Sequence, residues 1–333
     1  MLQINNQLKN KLLDLNTRIL SKYEALYNDL AKNLLVNLIE LHLDEIRQVR
    51  RFDVYEINNC LVKKGLVAVD GSINTIGSTY PHYVSIMQAI AKNTLKDSKE
   101  VLRCDIHSPL LNNTDCYDTD EEMDVLPEKD RDDRIRSAKL ARLELEASIE
   151  SMITDKPSVV FMDGSLTRYK IQCGQLWYEF KKTALQNDVC VAGIVEEIKT
   201  SLISKALKGH IPQSMESMFD REILFGVLEY GQVLMLKNFR EEDGIRKCFM
   251  RSSRDPHVVA IDMLEEQSDK MLEVARLVLS LTPENSRGIP VWLDIVDSEV
   301  RISDKMMNAL VETYIDSSVR NMLFVAKREN RIL

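Results

Sequence analysis

One phrase occurs twice in this chain, as Leu66-Val67-Ala68-Val69-Asp70-Gly71-Ser72 and as Val159-Val160-Phe161-Met162-Asp163-Gly164-Ser165. Each copy is an apolar run of strand length that stops at an aspartate followed by the turn-forming pair Gly-Ser. Two acids therefore stand at the ends of two core strands. A carboxylate is costly to desolvate there unless it meets a cation, and two of them brought together point to a metal site. A single Asp-Gly-Ser would be read as a turn cap; its repetition argues for more.

At 333 residues, with 44% hydrophobic and 29% charged residues, the chain has room for one large elaborated domain or two smaller ones of the soluble globular class. No run of about 18 uncharged apolar residues is present. The start Met1-Leu2-Gln3-Ile4-Asn5-Asn6 lacks a basic stretch and apolar signal core, so the expected location is cytoplasmic, with no membrane association. Cys60, Cys104, Cys116, Cys173, Cys190 and Cys248 form no Cys-x-x-Cys pair, which argues against a disulfide framework or zinc site. A net charge of −8 argues against a protein that coats nucleic acid by bulk electrostatics, but not against a nuclease, whose site is itself acidic. Much of that charge lies between about 112 and 133, from Asp115 and Asp118 through Asp120, Glu121, Glu122 and Asp124 to Asp132 and Asp133, and reads as a solvated acidic loop.

Residues 1 to about 50 read as helix, with Leu8, Leu12, Leu15, Ile19, Tyr23 and Leu26 recurring at three and four. From Leu61 the pattern turns to strands. The first Asp-bearing run, Tyr83–Ala91 and Val101–Ile106 suggest an antiparallel meander. A helix over 132–153, the second Asp-bearing strand, a helix over 174–187 and a strand at Val189–Ile194 follow. That order predicts an α/β fold, a ribonuclease-H-like mixed sheet flanked by helices with a helical N-terminal extension. Further strands are expected at Val233–Leu236, Lys247–Met250 and Val258–Ile261, a helix near 263–281, a strand at Val291-Trp292-Leu293 and a helix from about Ser303.

These residues resemble the NurA nucleases, partners of HerA-type hexameric DNA translocases. The likeness is carried, in order, by Val69-Asp70-Gly71-Ser72, a glutamate on the helix before the second motif, Met162-Asp163-Gly164-Ser165-Leu166, Ala192-Gly193-Ile194 with Lys199-Thr200-Ser201, Phe219-Asp220-Arg221, and Pro290-Val291-Trp292-Leu293 leading to Asp297. No low-complexity linker divides the chain, which favours a helical extension over 1–60 followed by one catalytic domain over 61–333, and the resemblance makes that domain a nuclease. It also implies a manganese-dependent DNA exonuclease and endonuclease of 5′-to-3′ polarity and a homodimer. Its setting would be DNA-end processing beside a HerA-type hexameric ATPase, in repair or anti-phage defence. Magnesium could replace manganese, and two ions are expected. By position Asp70 and Asp163 match the family's metal-binding aspartates. The helical acid is Glu146 on its spacing to Asp163, with Glu144 as the alternative; two residues apart on a helix, only one can face the metals. Asp297 stands where many relatives carry a histidine, an exchange that keeps an oxygen ligand and removes an imidazole.

Two divalent ions held by Asp70, Glu146, Asp163 and Asp297 could activate water and stabilise the phosphorus centre and leaving oxyanion without a side-chain base. Lys199 is the candidate for phosphate contact, and Arg168 for either the DNA backbone or a surface ion pair. Asp220 either caps the helix running through Ile223 and Leu228 or joins the site. Trp177 and Tyr178 either stack on a base or belong to the core. The chain lacks a phosphate-binding Gly-x-x-x-x-Gly-Lys-Ser/Thr loop, a His-x-x-x-His pair and a Gly-x-Ser-x-Gly elbow, which leaves an intrinsic ATPase, a zinc hydrolase and a serine hydrolase unsupported. A haloacid-dehalogenase-type phosphatase would need an aspartate at Ala68 or Phe161. The remaining alternative is a catalytically degenerate docking subunit of a translocase.

Overall fold

A computed structural model describes residues 5–23, 29–61, 64–111, 127–236 and 244–324. Most of the expected acidic loop lies outside these residues. Helices α1 (Asn6–Tyr23) and α2 (Asp29–His42) come first, then strand β1 (Ile46–Gln48) and α3 (Val54–Leu61). The meander follows as β2 (Leu66–Thr79), β3 (His82–Asn93) and β4 (Val101–His107), and then α4 (Glu128–Thr154), β5 (Val159–Asp163), α5 (Leu166–Gln186) and β6 (Cys190–Val195). The last part comprises α6 (Leu202–Ala206), α7 (Asp220–Ile223), β7 (Gln232–Met235), β8 (Ile245–Met250), β9 (Val259–Leu264), α8 (Met271–Leu281), α9 (Val291–Val300), α10 (Asp304–Tyr314) and α11 (Ser317–Leu323).

All nine described strands join one sheet in the order β1-β7-β8-β9-β6-β5-β2-β3-β4. The β2/β5 and β5/β6 pairs are parallel and the others antiparallel, so the fold is the expected mixed α/β sheet flanked by helices. Strand alternation sorts the core onto the two faces. Val67, Val69, Val160 and Met162 pack with Ala141, Leu145 and Ile149 of α4 and Tyr169 and Phe180 of α5. Leu66, Ala68, Val159 and Phe161 pack with Val274 and Val278 of α8 and Leu293 and Val296 of α9.

The N-terminal region is not helical throughout. Ile46–Gln48 adds a strand beside β7, with Ile46 opposite Leu234. Three residues carry no periodicity of their own, and an open strand edge supplies the hydrogen bonds that define them. Helix α2 is tied to the body through Leu35, Ile39 and Leu43, which pack with Ile203, Leu224 and Phe249. Helix α1 buries none of its side chains, and Leu8, Leu12, Leu15 and Ile19 are exposed.

Three further expectations are corrected. Val291-Trp292-Leu293 is not a strand but the first turn of α9; Pro290, whose missing N–H costs nothing at a helix start, immediately precedes it. The helix expected at 174–187 begins at Leu166, capped by the Ser165 hydroxyl and bent at Gly174, whose φ of 42° and ψ of −109° interrupt the apolar period. The helix expected near 263–281 begins at Met271, because β9 continues to Leu264 and a short 3-10 stretch intervenes.

Asp220 is fully buried, and the element it caps is not the one expected. Its carboxylate accepts hydrogen bonds from Thr200 Oγ1 (2.5 Å), Leu202 N (3.0 Å) and Ile203 N (2.8 Å), which closes the start of α6 from across the chain. Asp220→Ala would strand these donors and should cost about 2–4 kcal/mol of stability, read as a lower urea midpoint with an unchanged slope. An unchanged midpoint would contradict this.

Candidate active site

The two repeated aspartates meet because β2 and β5 are adjacent and parallel, with Val69 opposite Met162. Asp70 and Asp163 follow directly, at the same level, on the sheet face that carries Ala68 and Phe161. Burial and then the charges of Asp163 and Glu144 push the Asp70 carboxyl up to about 8. Burial and then Glu144 push Asp163 up to about 6. The charge of Asp297 raises both.

Only β5 ends at its aspartate; β2 does not turn at Asp70-Gly71-Ser72 as expected but runs on to Thr79, because β3 pairs with it throughout, and helix α9 is fastened beside the two acids. Trp292 Nε1 donates to Lys92 O (3.0 Å), Gln88 Nε2 to Val300 O (2.7 Å), and Ile302 N to Ser72 Oγ (3.1 Å). The third serves as a tether from the first repeated motif, since Ser72 follows Asp70-Gly71. These bonds bring Asp297 to the rim of the site with its side chain partly exposed.

The helical acid that joins them is Glu144. It is buried on α4, and its carboxylate lies over Gly71: a β-carbon on that glycine would stand 2.5 Å from Glu144 Oε1. Glycine at 71, inside β2, thus opens the window through which an acid from the α4 face approaches the two aspartates. Glu146, two residues along, faces elsewhere, paired with Arg142 at 2.8 Å in a groove with Arg103, Glu150 and Glu179. Spacing to Asp163 pointed to Glu146; rotation of α4, fixed by burying Leu145, Ala147 and Ser148, gathers Glu144 instead.

Arg168, on the first turn of α5, is ion-paired with the buried Glu144 and lies over the Tyr169 ring. It is neither a surface pair nor free for the DNA backbone. Burial drives the Glu144 carboxyl upward, and Arg168 opposes that rise. Tyr169 is also buried, with its hydroxyl 3.4 Å from Asp163 O. Lys199 is not brought to the carboxylates; it is exposed, 3.5 Å from Glu197. Trp177 is core, stacked on Phe180 at a centroid distance of 5.5 Å, whereas Tyr178 is exposed.

Two supports had no expectation attached. Asp262, fully buried on β9, is ion-paired with buried Lys247 and accepts from Ser165 Oγ (2.6 Å) and Leu166 N (3.1 Å), which fixes the turn that leaves Asp163. An acid ending a buried apolar run was the available signal, but the expected strand stopped at Ile261. Arg287, in the loop before α9, bridges Glu196 (2.6 Å) and Asp294 (2.6 Å) and holds the Asp163 carboxyl down against its other neighbours. No local motif marks it.

The NurA domain profile matches residues 64–302. The chain belongs to the NurA family. By fold this NurA chain is similar to the NurA nuclease from Sulfolobus solfataricus, with 14% identity, a TM-score of 0.56, and coverage of 96% of this chain and 98% of that one. It is also similar to an endonuclease V from Bacillus subtilis, with 12% identity, a TM-score of 0.38, and coverage of 86% and 94%. No curated protein sequence matches it.

Hard divalent cations take oxygen ligands, and the donor chemistry of Asp70, Glu144, Asp163 and Asp297 fits such ions. The fit is also electrostatic, because acids that raise one another's pKa are an arrangement that a cation relieves. As the side chains lie, no three His, Cys, Asp or Glu residues among those described close around a single point, and Glu144 is engaged by Arg168.

Proposed function

We propose that this NurA chain is a divalent-metal-dependent DNA nuclease whose centre is Asp70, Glu144, Asp163 and Asp297. The observation that carries this reading is the side-by-side placement of Asp70 and Asp163 on parallel strands, with Glu144 lying over Gly71, the residue after Asp70. Asp70 and Asp163 are each pushed up by burial and by the acids beside them despite the nearby arginines, a placement that a bound cation would relieve.

Asp70 and Asp163 would hold the ions from the sheet, Glu144 from α4 and Asp297 from α9. When bound, manganese or magnesium, as two ions, supplies a lowered pKa for water and positive charge for the phosphate. Arg168 orients Glu144 and opposes the rise that burial imposes on its carboxyl. The Lys247–Asp262 pair fixes the Asp163-Gly164-Ser165 turn through Ser165. Without histidine at 297, no imidazole serves there as a proton carrier. Proton transfer then falls to water, since Tyr169 is buried and its hydroxyl is held far above its ordinary range by burial.

Family membership supports a homodimer that works with a HerA-type hexameric ATPase on DNA ends, in repair or anti-phage defence, with 5′-to-3′ polarity and a cytoplasmic location. No helix among the described residues is long and apolar enough to cross a membrane. The exposed stripe of Leu8, Leu12, Leu15 and Ile19 on α1 offers one surface for assembly.

The test is cleavage of labelled linear duplex and single-stranded DNA with manganese, magnesium or chelator. Product with either metal and none with chelator is expected. Inactivity in every condition, with a HerA-type partner included, would overturn the reading in favour of a docking subunit.

A further inference from the structure

The gathered acids pose a problem for any polyanionic substrate: a DNA phosphate approaching them meets four carboxylates. The cations near them are committed unequally. Arg168 is one-third exposed but its partner Glu144 is buried, and Lys247 and Asp262 are both buried, so neither cation can leave its partner without stranding a buried carboxylate. Lys199 is exposed but directed to Glu197. Arg287 combines an exposed side chain with a place beside Asp163 that Lys199 lacks, and it holds that carboxyl down; Arg301, also exposed, sits instead 3.7 Å from Asp297. The Arg287 side chain is 48% exposed, and its partners Glu196 and Asp294 are 39% and 36% exposed. Exposed pairs of this kind are weak and readily exchanged.

Its position is set by three elements that converge on the site. Glu196 follows the end of β6, where Ile194 lies opposite Asp163. Asp294 stands one turn before Asp297 on α9. The backbone beneath Arg287 is pinned, with Ser252 Oγ donating to Gly288 O at 2.6 Å and Gly288 at a φ of 96°. The side chain can therefore change partners while the loop stays in place.

We infer that Arg287 is a substrate-contacting residue that grips a backbone phosphate of DNA at the mouth of the carboxylate site, exchanging Glu196 and Asp294 for the phosphate oxygens. A guanidinium presents a planar fork of donors that matches two phosphate oxygens as well as it matches carboxylates. This inference rests on the nuclease reading above and adds the group that recognises the substrate.

The test is fluorescence anisotropy of labelled DNA across a salt series, in calcium so that binding is read apart from turnover. Native protein is compared with Arg287→Ala, and the same pair is repeated in a Glu196→Gln/Asp294→Asn background. Loss of one phosphate contact should weaken binding by about tenfold and lower the slope of log affinity against log salt by about 0.9 for duplex DNA, in both backgrounds. Binding restored by neutralising Glu196 and Asp294 would overturn the inference, since Arg287 would then only shield two acids. Unchanged affinity and slope, with native cleavage intact, would overturn it while leaving the nuclease reading standing. Native protein that neither binds nor cleaves DNA would overturn both.

Discussion

Asp70→Asn is expected to lower the single-turnover cleavage rate by roughly 10³-fold or more, while making the metal-free protein more stable at pH 8. The two effects share one cause. Burial and the neighbouring charges of Asp163 and Glu144 hold the Asp70 carboxyl at about 8, whereas in the unfolded chain it returns to about 4. Between those values the folded state keeps a proton that the unfolded state has lost. The stabilisation is therefore complete below about pH 4 and is lost as pH rises toward 8. Holding a carboxyl that far above its ordinary value costs the folded state roughly 4–6 kcal/mol once the pH has passed 8. Asp163, held at about 6, adds a smaller loss that ends near that pH.

Thermal melts of native and Asp70→Asn protein from pH 5 to 8 in chelator check this. The native melting temperature should fall across the range, and the asparagine variant should hold nearly level above pH 6. Manganese should recover the native value at pH 8 and do little for the variant, because a ligand of the folded state alone stabilises it. Parallel native and variant curves would remove the electrostatic basis of the site.

How much of this was legible in the chain depended on whether local pattern or long-range geometry decided it. The meander and the two Asp-bearing strands announced themselves because apolar runs ended sharply at Asp-Gly-Ser. Asp70 and Asp163 were found through repetition, and their adjacency needed only β2 and β5 to pair. Val291-Trp292-Leu293 misled because three β-favouring residues are too few to show a period, and Pro290 was consistent with either element. The kink at Gly174 hid the first two turns of α5 and, with them, the pairing of Arg168 with the buried Glu144. Arg287 was not legible at all. Its partners lie 91 and 7 residues away, and neither separation belongs to a recurring motif.

The choice between Glu144 and Glu146 marks that boundary most sharply. Residues two apart on a helix point to different sides, so spacing along the chain limits the answer to one of them without naming it. Packing of α4 on β2 and β3 turns Glu144 inward over Gly71 and leaves Glu146 with Arg142. Glu146→Gln should change the cleavage rate by less than about twofold, as expected for an exposed i,i+4 pair. Glu144→Gln should lower it by about 100-fold or more, in the range seen when a preorganised charged group is lost. Removing Glu144 alone leaves the partly exposed Arg168 without its carboxylate partner, so Glu144→Gln/Arg168→Gln is the better-matched form of the experiment.

The measurement that bears most directly on the central claim is therefore single-turnover cleavage of an end-labelled duplex in manganese. It compares native protein with Asp163→Asn, Glu144→Gln/Arg168→Gln and Glu146→Gln, each confirmed folded by its melt. The first two variants are expected to lose cleavage and the third to keep it. Native-like cleavage by Asp163→Asn or by Glu144→Gln/Arg168→Gln, or loss confined to Glu146→Gln, would contradict a centre built on Asp70, Glu144, Asp163 and Asp297.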